Sequence, residues 1–289
     1  MKKTGCSVSL FLSMIIVLVA SIAQAEITMC TPIHQSEIPY TINTPGIYCL
    51  ATDLVAPPTF TTGNVITINS NNVVIDLNDH RIGGQPAGLG NQAVGIYSNS
   101  HRNIQIRNGV IRGFLYGIQI VDAASPGTSS GIAIVSILAD GNTYAGIDVV
   151  GLGNRIHDNS VVNTGGSTAP PTAEVFGISS KGKGSIIRDN VVTAVTHPTG
   201  GSAYAIFIDA SSDYSTVDNN RITNPSSSAS SFGIYVNSSD VLVQGNVVFG
   251  MDTGLSFKDT TGAYRNNAVI KTNTPVSKGF DGGGNVSNP

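Results

Sequence analysis

The stretch Ile187-Arg188-Asp189-Asn190-Val191-Val192, followed by its counterpart Val217-Asp218-Asn219-Asn220-Arg221-Ile222, decides how this chain folds. In each, an asparagine stands three residues after an apolar position and two before a β-branched one. The same spacing recurs at Ile156, Asn159 and Val161, at Val243, Asn246 and Val248, and at Tyr264, Asn267 and Val269. Five asparagines thus hold matched positions: Asn159, Asn190, Asn220, Asn246 and Asn267. Inserts of variable length separate the units while their interiors stay fixed, which marks a coil whose every turn repeats one bend. Asparagine suits that bend because it tolerates left-handed backbone angles and its amide can bond to the copy above and below. A stacked asparagine ladder predicts a solenoid of parallel strands.

A second ladder runs alongside. Gly-Ile or a close variant opens each unit: Val65-Ile66, Gly95-Ile96, Gly117-Ile118, Gly146-Ile147, Gly177-Ile178, Ala205-Ile206, Gly233-Ile234 and Gly254-Leu255. The steps are 30, 22, 29, 31, 28, 28 and 21 residues, within the range of solenoid repeats. After each opener the side chains alternate, as in Ile118-Gln119-Ile120, so alternate residues point in and out. A second inward position follows at Ile75, Ile106, Ile134, Ile156, Ile187, Val217, Val243 and Tyr264; Ile134 is reached only after the insert 122–130. Three short strands per turn with no helical stripe predict an all-β, right-handed parallel β-helix of about eight rungs. At about 4.8 Å per rung its body would be roughly 40 Å long.

The ends differ in composition. Residues 1–25 combine Lys2 and Lys3, an apolar run from Val8 to Ala20, and Ala23-Gln24-Ala25. That is the form of a signal peptide cut after Ala25, with a run short for a membrane span, so a secreted or periplasmic protein with no membrane span after cleavage is expected. Residues 26–60 hold Cys30, Cys49 and five prolines and read as an N-terminal cap; 61–273 form the β-helix, and 274–289, with Gly282-Gly283-Gly284, a loose tail. Cys30 and Cys49 are the cysteines that survive cleavage. In an oxidising compartment they are expected to form one disulfide; two unpaired structural thiols are the alternative. Losing Lys2 and Lys3 leaves 13 basic against 18 acidic residues, a net charge of about −5. With charges so sparse and no basic cluster, nucleic acid is not an expected partner.

The run Asn71-Asn72-Val73-Val74-Ile75-Asp76-Leu77-Asn78-Asp79-His80-Arg81-Ile82 resembles the first rung of bacterial right-handed parallel β-helix repeat proteins. Pro39-Tyr40-Thr41-Ile42 and Pro45-Gly46-Ile47-Tyr48-Cys49-Leu50 resemble the entry segment of their secreted members. The resemblance covers nearly the whole chain after the leader and implies the pectate-lyase-like superfamily. That fold hosts lyases, hydrolases, epimerases, tailspikes and adhesins, so it implies an architecture and not one activity. The Asn-Thr-Asp, Asp-Asp, Gly-His-Gly and Arg-Ile-Lys signatures of polygalacturonases are missing, as is the Asp-Pro-His-Asp of alginate epimerases. No long Asp-rich loops suggest a calcium-dependent lyase. No cofactor or metal site is evident, and calcium has no support in the sequence.

The chemistry must therefore be sought on outward columns. Asp76 and His80 sit in the generic first-rung pattern and are expected to be structural. The column before the asparagine bend places Arg188 one rung from Asp218, predicting an exposed ion pair worth about 0–1 kcal/mol. The column on the first strand carries Tyr97, Gln119, Asp148, Ser179, Phe207, Tyr235 and Ser256. Tyr97, Phe207 and Tyr235 are expected to form an exposed aromatic platform for a sugar chain, since pyranose faces are apolar and their edges polar. Loops over residues 163–175, 193–203 and 223–231 would wall that strip, or else pack over its rings. Glu174 and His197 lie in these loops. A lyase needs a base for the proton α to a uronate carboxylate and a cation to hold the carbanion. The candidate catalytic set is Arg188, Lys181, His197, Glu174, Asp148 and Asp209. Two functions follow: a carbohydrate-interacting β-helix, binding polysaccharide or processing an acidic one as a lyase does, and alternatively a non-catalytic adhesin or envelope structural protein.

Overall fold

A computed structural model describes residues 29–123, 127–169, 174–198, 200–225 and 230–288. The expected leader and its cleavage point lie outside the described residues. The first strands of successive turns stack into one ten-stranded sheet: Tyr40–Ile42, Asn64–Ile68, Val94–Asn99, Tyr116–Val121, Ala145–Val150, Glu174–Lys181, Ser202–Ile208, Ser231–Val236, Thr253–Phe257 and Thr274–Ser277. The remaining strands join in a nineteen-stranded sheet that wraps the other sides. Each strand pairs in parallel with its counterpart one turn away, as Ile147 with Ile178 and Ile187 with Val217. The chain is a right-handed parallel β-helix.

Register explains the core. Ile96, Ile118, Ile147, Ile178, Ile206, Ile234 and Leu255 pair in sequence down one column. All are fully buried. Each such side chain contributes about 1.5–3 kcal/mol of burial, which offsets the entropy of ordering many short strands. The glycine opener has a steric cause. A methyl group at Gly177 would lie 2.5 Å from the Ala205 carbonyl oxygen and 2.8 Å from Val192 Cγ1. The corner has no room for a Cβ.

The asparagine side chains form a continuous ladder inside the bend. Asn159 Nδ2 donates to Asn190 Oδ1 at 3.0 Å, Asn190 to Asn220 at 2.9 Å, Asn220 to Asn246 at 2.9 Å and Asn246 to Asn267 at 3.0 Å. Each amide also donates to a main-chain carbonyl above, as Asn190 does to Ile156 at 2.9 Å. Asn285 adds a further step, accepting from Asn267 at 3.2 Å. The left-handed backbone sits elsewhere than expected. Asp158, Asp189, Asn219, Gly245 and Asn266 have φ between 52° and 66°, one residue before each ladder asparagine. That residue turns the chain outward, and the asparagine then points its amide inward.

Both ends depart from the sequence boundaries. Tyr40–Ile42, in the expected cap, pairs with Asn64–Ile68, and Gly46–Leu50 pairs with Val73–Asp76. The expected loose tail is a last rung: Thr274–Ser277, Phe280–Asp281 and Val286–Asn288 all pair with the turn before. Short strands without strong apolar alternation hid these turns. Cys30 and Cys49 are joined in a disulfide with Cα atoms 5.7 Å apart. It staples the strand Thr31–Ile33 to Gly46–Leu50, with Pro32 opposite Cys49. Among the described residues no helix is long and apolar enough to cross a membrane.

Candidate functional site on the ten-stranded sheet

Alternation along the first strands sends Asp148, Ser179, Phe207 and Tyr235 outward in one column, in register on four consecutive rungs. Outward does not mean exposed here. Asp148 is 6% exposed and Ser179 fully buried. Asp148 Oδ1 lies 3.2 Å from Lys181 Nζ, a pair with an 8% exposed carboxylate and a lysine one-third exposed. Lys181 reaches back across one rung, since it stands opposite Val150. The Ser179 hydroxyl has no hydrogen-bond partner among the described residues.

Beyond the end of these strands lies a groove of about 460 Å³. Lys181, Lys183, Asp122 and Asp209 bring their charges to it, with Val150, Leu152 and three glycines as apolar and backbone lining. Lys183 is held 3.4 Å from Asp213. Three of the six sequence candidates therefore converge: Lys181 and Asp209 line the groove, and Asp148 pairs with Lys181.

The other three do not join them. Glu174 begins the strand that Lys181 ends, seven residue rises or roughly 23 Å away at 3.3 Å each. There its charge adds to burial, the larger cause, in raising the phenol pKa values of Tyr144 and Tyr204. Arg188 lies on the nineteen-stranded sheet and bonds Asp189 at 3.0 Å. The expected pairing with Asp218 is not made, although the two are in register: the left-handed turn at Asp189 brings a carboxylate nearer. His197 is buried, and its Nδ1 accepts from the Gly201 amide at 2.9 Å, closing its own loop. Asp76 accepts from Arg107 at 2.9 Å, and His80 lies 3.3 Å from Asp53. Both serve the early rungs. Among the described residues no group of three or more His, Cys, Asp or Glu side chains could hold a metal ion.

The aromatic strip is larger than the sequence suggested and differently built. Tyr116, Tyr144, Phe176, Tyr204, Phe207, Phe232 and Tyr235 form one cluster at the near edge of the sheet. Phe176 stacks on Tyr204 at 5.4 Å, Tyr204 on Phe232 at 5.1 Å, and Phe207 on Tyr235 at 5.7 Å with planes 9° apart. Ring faces are turned toward one another along the solenoid axis, so Phe207 and Tyr235 are not a free platform. Neighbouring rings pack against both of them. Tyr97 stands four rungs from Phe207, about 19 Å away, and takes no part. The missed rings sit just before the Gly-Ile openers, a position that the alternation rule hides because the glycine corner puts two outward residues three apart.

Electrostatics tie the rings to the acid. Burial, then the negative charges of Glu174 and Asp148, push the Tyr144 phenol up to about 12. Burial chiefly, then Tyr144 and Asp148, raises Tyr116 further. Both phenols stay protonated at any ordinary pH and can donate beside Asp148.

No protein-family model and no curated protein matches this chain. Solved structures similar in fold include an alginate lyase from Paenibacillus sp. str. FPU-7, at a TM-score of 0.53 and 14% identity over 90% of this chain and 98% of that one. The Dettilon tailspike protein matches at a TM-score of 0.51 and 15% identity over 90% of this chain. The chain spans 60% of the tailspike's length. At these identities the likeness is one of fold.

Proposed function

We propose that this protein binds a polysaccharide along the outer face of its ten-stranded sheet, with Asp148, Lys181 and Asp209 as polar contacts. The observation that supports this best is their origin in three consecutive rungs: Lys181 and Asp209 line one 460 Å³ groove at the strand ends, and Asp148 pairs with Lys181. That volume suits a small-ligand cleft, about 300–1,000 Å³. Lysine donates to sugar oxygens, the carboxylates accept from hydroxyls, and the apolar lining meets ring faces. The alginate lyase and the tailspike that share this fold are in keeping with such a ligand.

The finer reading is lyase-type processing of an acidic polysaccharide. Lys181 would neutralise a uronate carboxylate while Asp209 or Asp148 takes the proton from the adjacent carbon. The electron pair left there forms a double bond to the next carbon as its glycosidic C–O bond breaks, and the departing oxygen takes a proton from water. Export accompanies this reading: cleavage after Ala25 delivers the chain to a compartment where the Cys30–Cys49 bond persists. The exported protein should then begin at Glu26 on N-terminal sequencing.

A panel of acidic and neutral polysaccharides, scored for binding and for new unsaturated ends, tests the proposal. Binding that Lys181→Ala weakens supports it, and unsaturated ends lost in the same variant extend it to a lyase. Binding without new ends leaves a non-catalytic binder. No binding to any glycan favours the adhesin or envelope reading and rejects this one.

A further inference from the structure

A second groove lies on the nineteen-stranded sheet. The strands Arg221–Thr223, Val247–Phe249 and Ala268–Ile270 pair there in register, Thr223 opposite Phe249 and Phe249 opposite Ile270. Beside them is a cleft of about 530 Å³ lined by Arg221, Thr223, Asn224, Phe249 and Lys271, with Pro225 and Gly250 at its turns. The Arg221 guanidinium lies 5.6 Å from the centre of the Phe249 ring, which fixes a planar cation against an apolar surface. Arg221 and Lys271 are both exposed, and neither forms an ion pair among the described residues.

An independent feature points to a ligand. Asn224 is 4% exposed, and its Nδ2 donates to the Val195 carbonyl at 3.3 Å. Its Oδ1 is buried with no hydrogen-bond partner among the described residues. An unsatisfied buried acceptor costs about 1–3 kcal/mol, and a donor on a ligand would remove that cost. Two cations call for an anion, the acceptor calls for a hydroxyl or amide donor close by, and the phenyl edge calls for apolar C–H surface.

We infer that this cleft is a second saccharide site, selective for a sugar acid. The carboxylate sits on Arg221 and Lys271, and a hydroxyl of the same unit donates to Asn224 Oδ1. Guanidinium matches a carboxylate in a two-pronged geometry that an ammonium cannot reproduce. The site lies on the other sheet and shares no lining residue with the groove at Lys181, so it stands whether or not that groove binds a glycan.

Calorimetric titration with trigalacturonate, its neutral trigalactose counterpart and sodium sulfate provides the test. Trigalacturonate should bind the wild-type protein, and R221A/K271A should weaken that step about tenfold or more. R221K should not restore it. N224A should weaken trigalacturonate but leave sulfate unchanged. K181A/D209N should leave this step intact, so failure of the groove reading is seen as no change in that variant while R221A/K271A still loses binding. Melting temperatures of all variants exclude unfolding as the cause. Trigalacturonate binding that R221A/K271A leaves unchanged overturns the site, as does equal binding of the neutral sugar. Indifference of trigalacturonate to N224A overturns the saccharide assignment.

Discussion

Removing one ladder amide disturbs three turns at once. The Asn190 side chain accepts from the Asn159 backbone amide at 3.1 Å and donates to the Ile156 carbonyl and to Asn220 Oδ1. A leucine there would strand these groups in the interior, so Asn190→Leu should destabilise by at least about 2 kcal/mol in denaturant melts. Ser179 behaves oppositely. Its hydroxyl is buried and unpartnered, so Ser179→Ala should be neutral or stabilising, within roughly 1 kcal/mol. Equal losses from the two substitutions would contradict the ladder's role. Tyr144 adds a pH dependence. Its folded pKa of about 12 exceeds the ordinary value of 10, so the folded state holds its proton more tightly than the unfolded one. Stability from this phenol is complete below pH 10 and is lost as pH rises toward 12. Melting temperatures across that window should fall less steeply in Tyr144→Phe than in the wild type.

At the scale of elements, the aromatic strip is a packing unit. Phe207 touches Phe176, Tyr204 and Tyr235, with ring centres 5.1, 5.2 and 5.7 Å away. Each such ring pair adds about 0.5–1.5 kcal/mol beyond its burial. The double variant F207A/Y235A should therefore lower the melting temperature, a loss of about 2 kcal/mol or more. An unchanged melt with lost glycan binding would restore the free-platform reading. The N-terminal staple is another element-scale feature. Cys30 and Cys49 close 19 residues, and C30S/C49S should cost about 3 kcal/mol by the loop-entropy argument. Free-thiol labelling of folded protein without reductant should find both cysteines protected.

For the whole molecule, stability is a sum over neighbouring rungs, because each turn buries its face only against the next. Truncation after Asn273 would remove the last paired turn and bare the Thr253–Phe257 and Ala268–Ile270 edges. Open parallel edges recruit other chains, so the truncated protein should aggregate where the full chain stays dispersed, as light scattering would report. The coil was legible in the sequence because its causes are local and repeated. The asparagine spacing and the Gly-Ile openers each report a bend that recurs every 21 to 31 residues. Less repetitive turns at 40–50 and 274–288 escaped that signal. Charge partners and ring packing depend on which rungs the inserts bring into register and on local turns. Arg188 chose Asp189 over Asp218 for that reason, and Lys181 found Asp148 across a rung. Sequence periodicity alone determined the coil, its inward columns and the asparagine ladder, since each follows from what one turn must bury. Only the tertiary structure decided that Asp148, Lys181 and Asp209 share one side of the sheet and that the aromatic faces are spent on one another. Lateral neighbours a full turn apart in sequence set those contacts, and no local pattern encodes them.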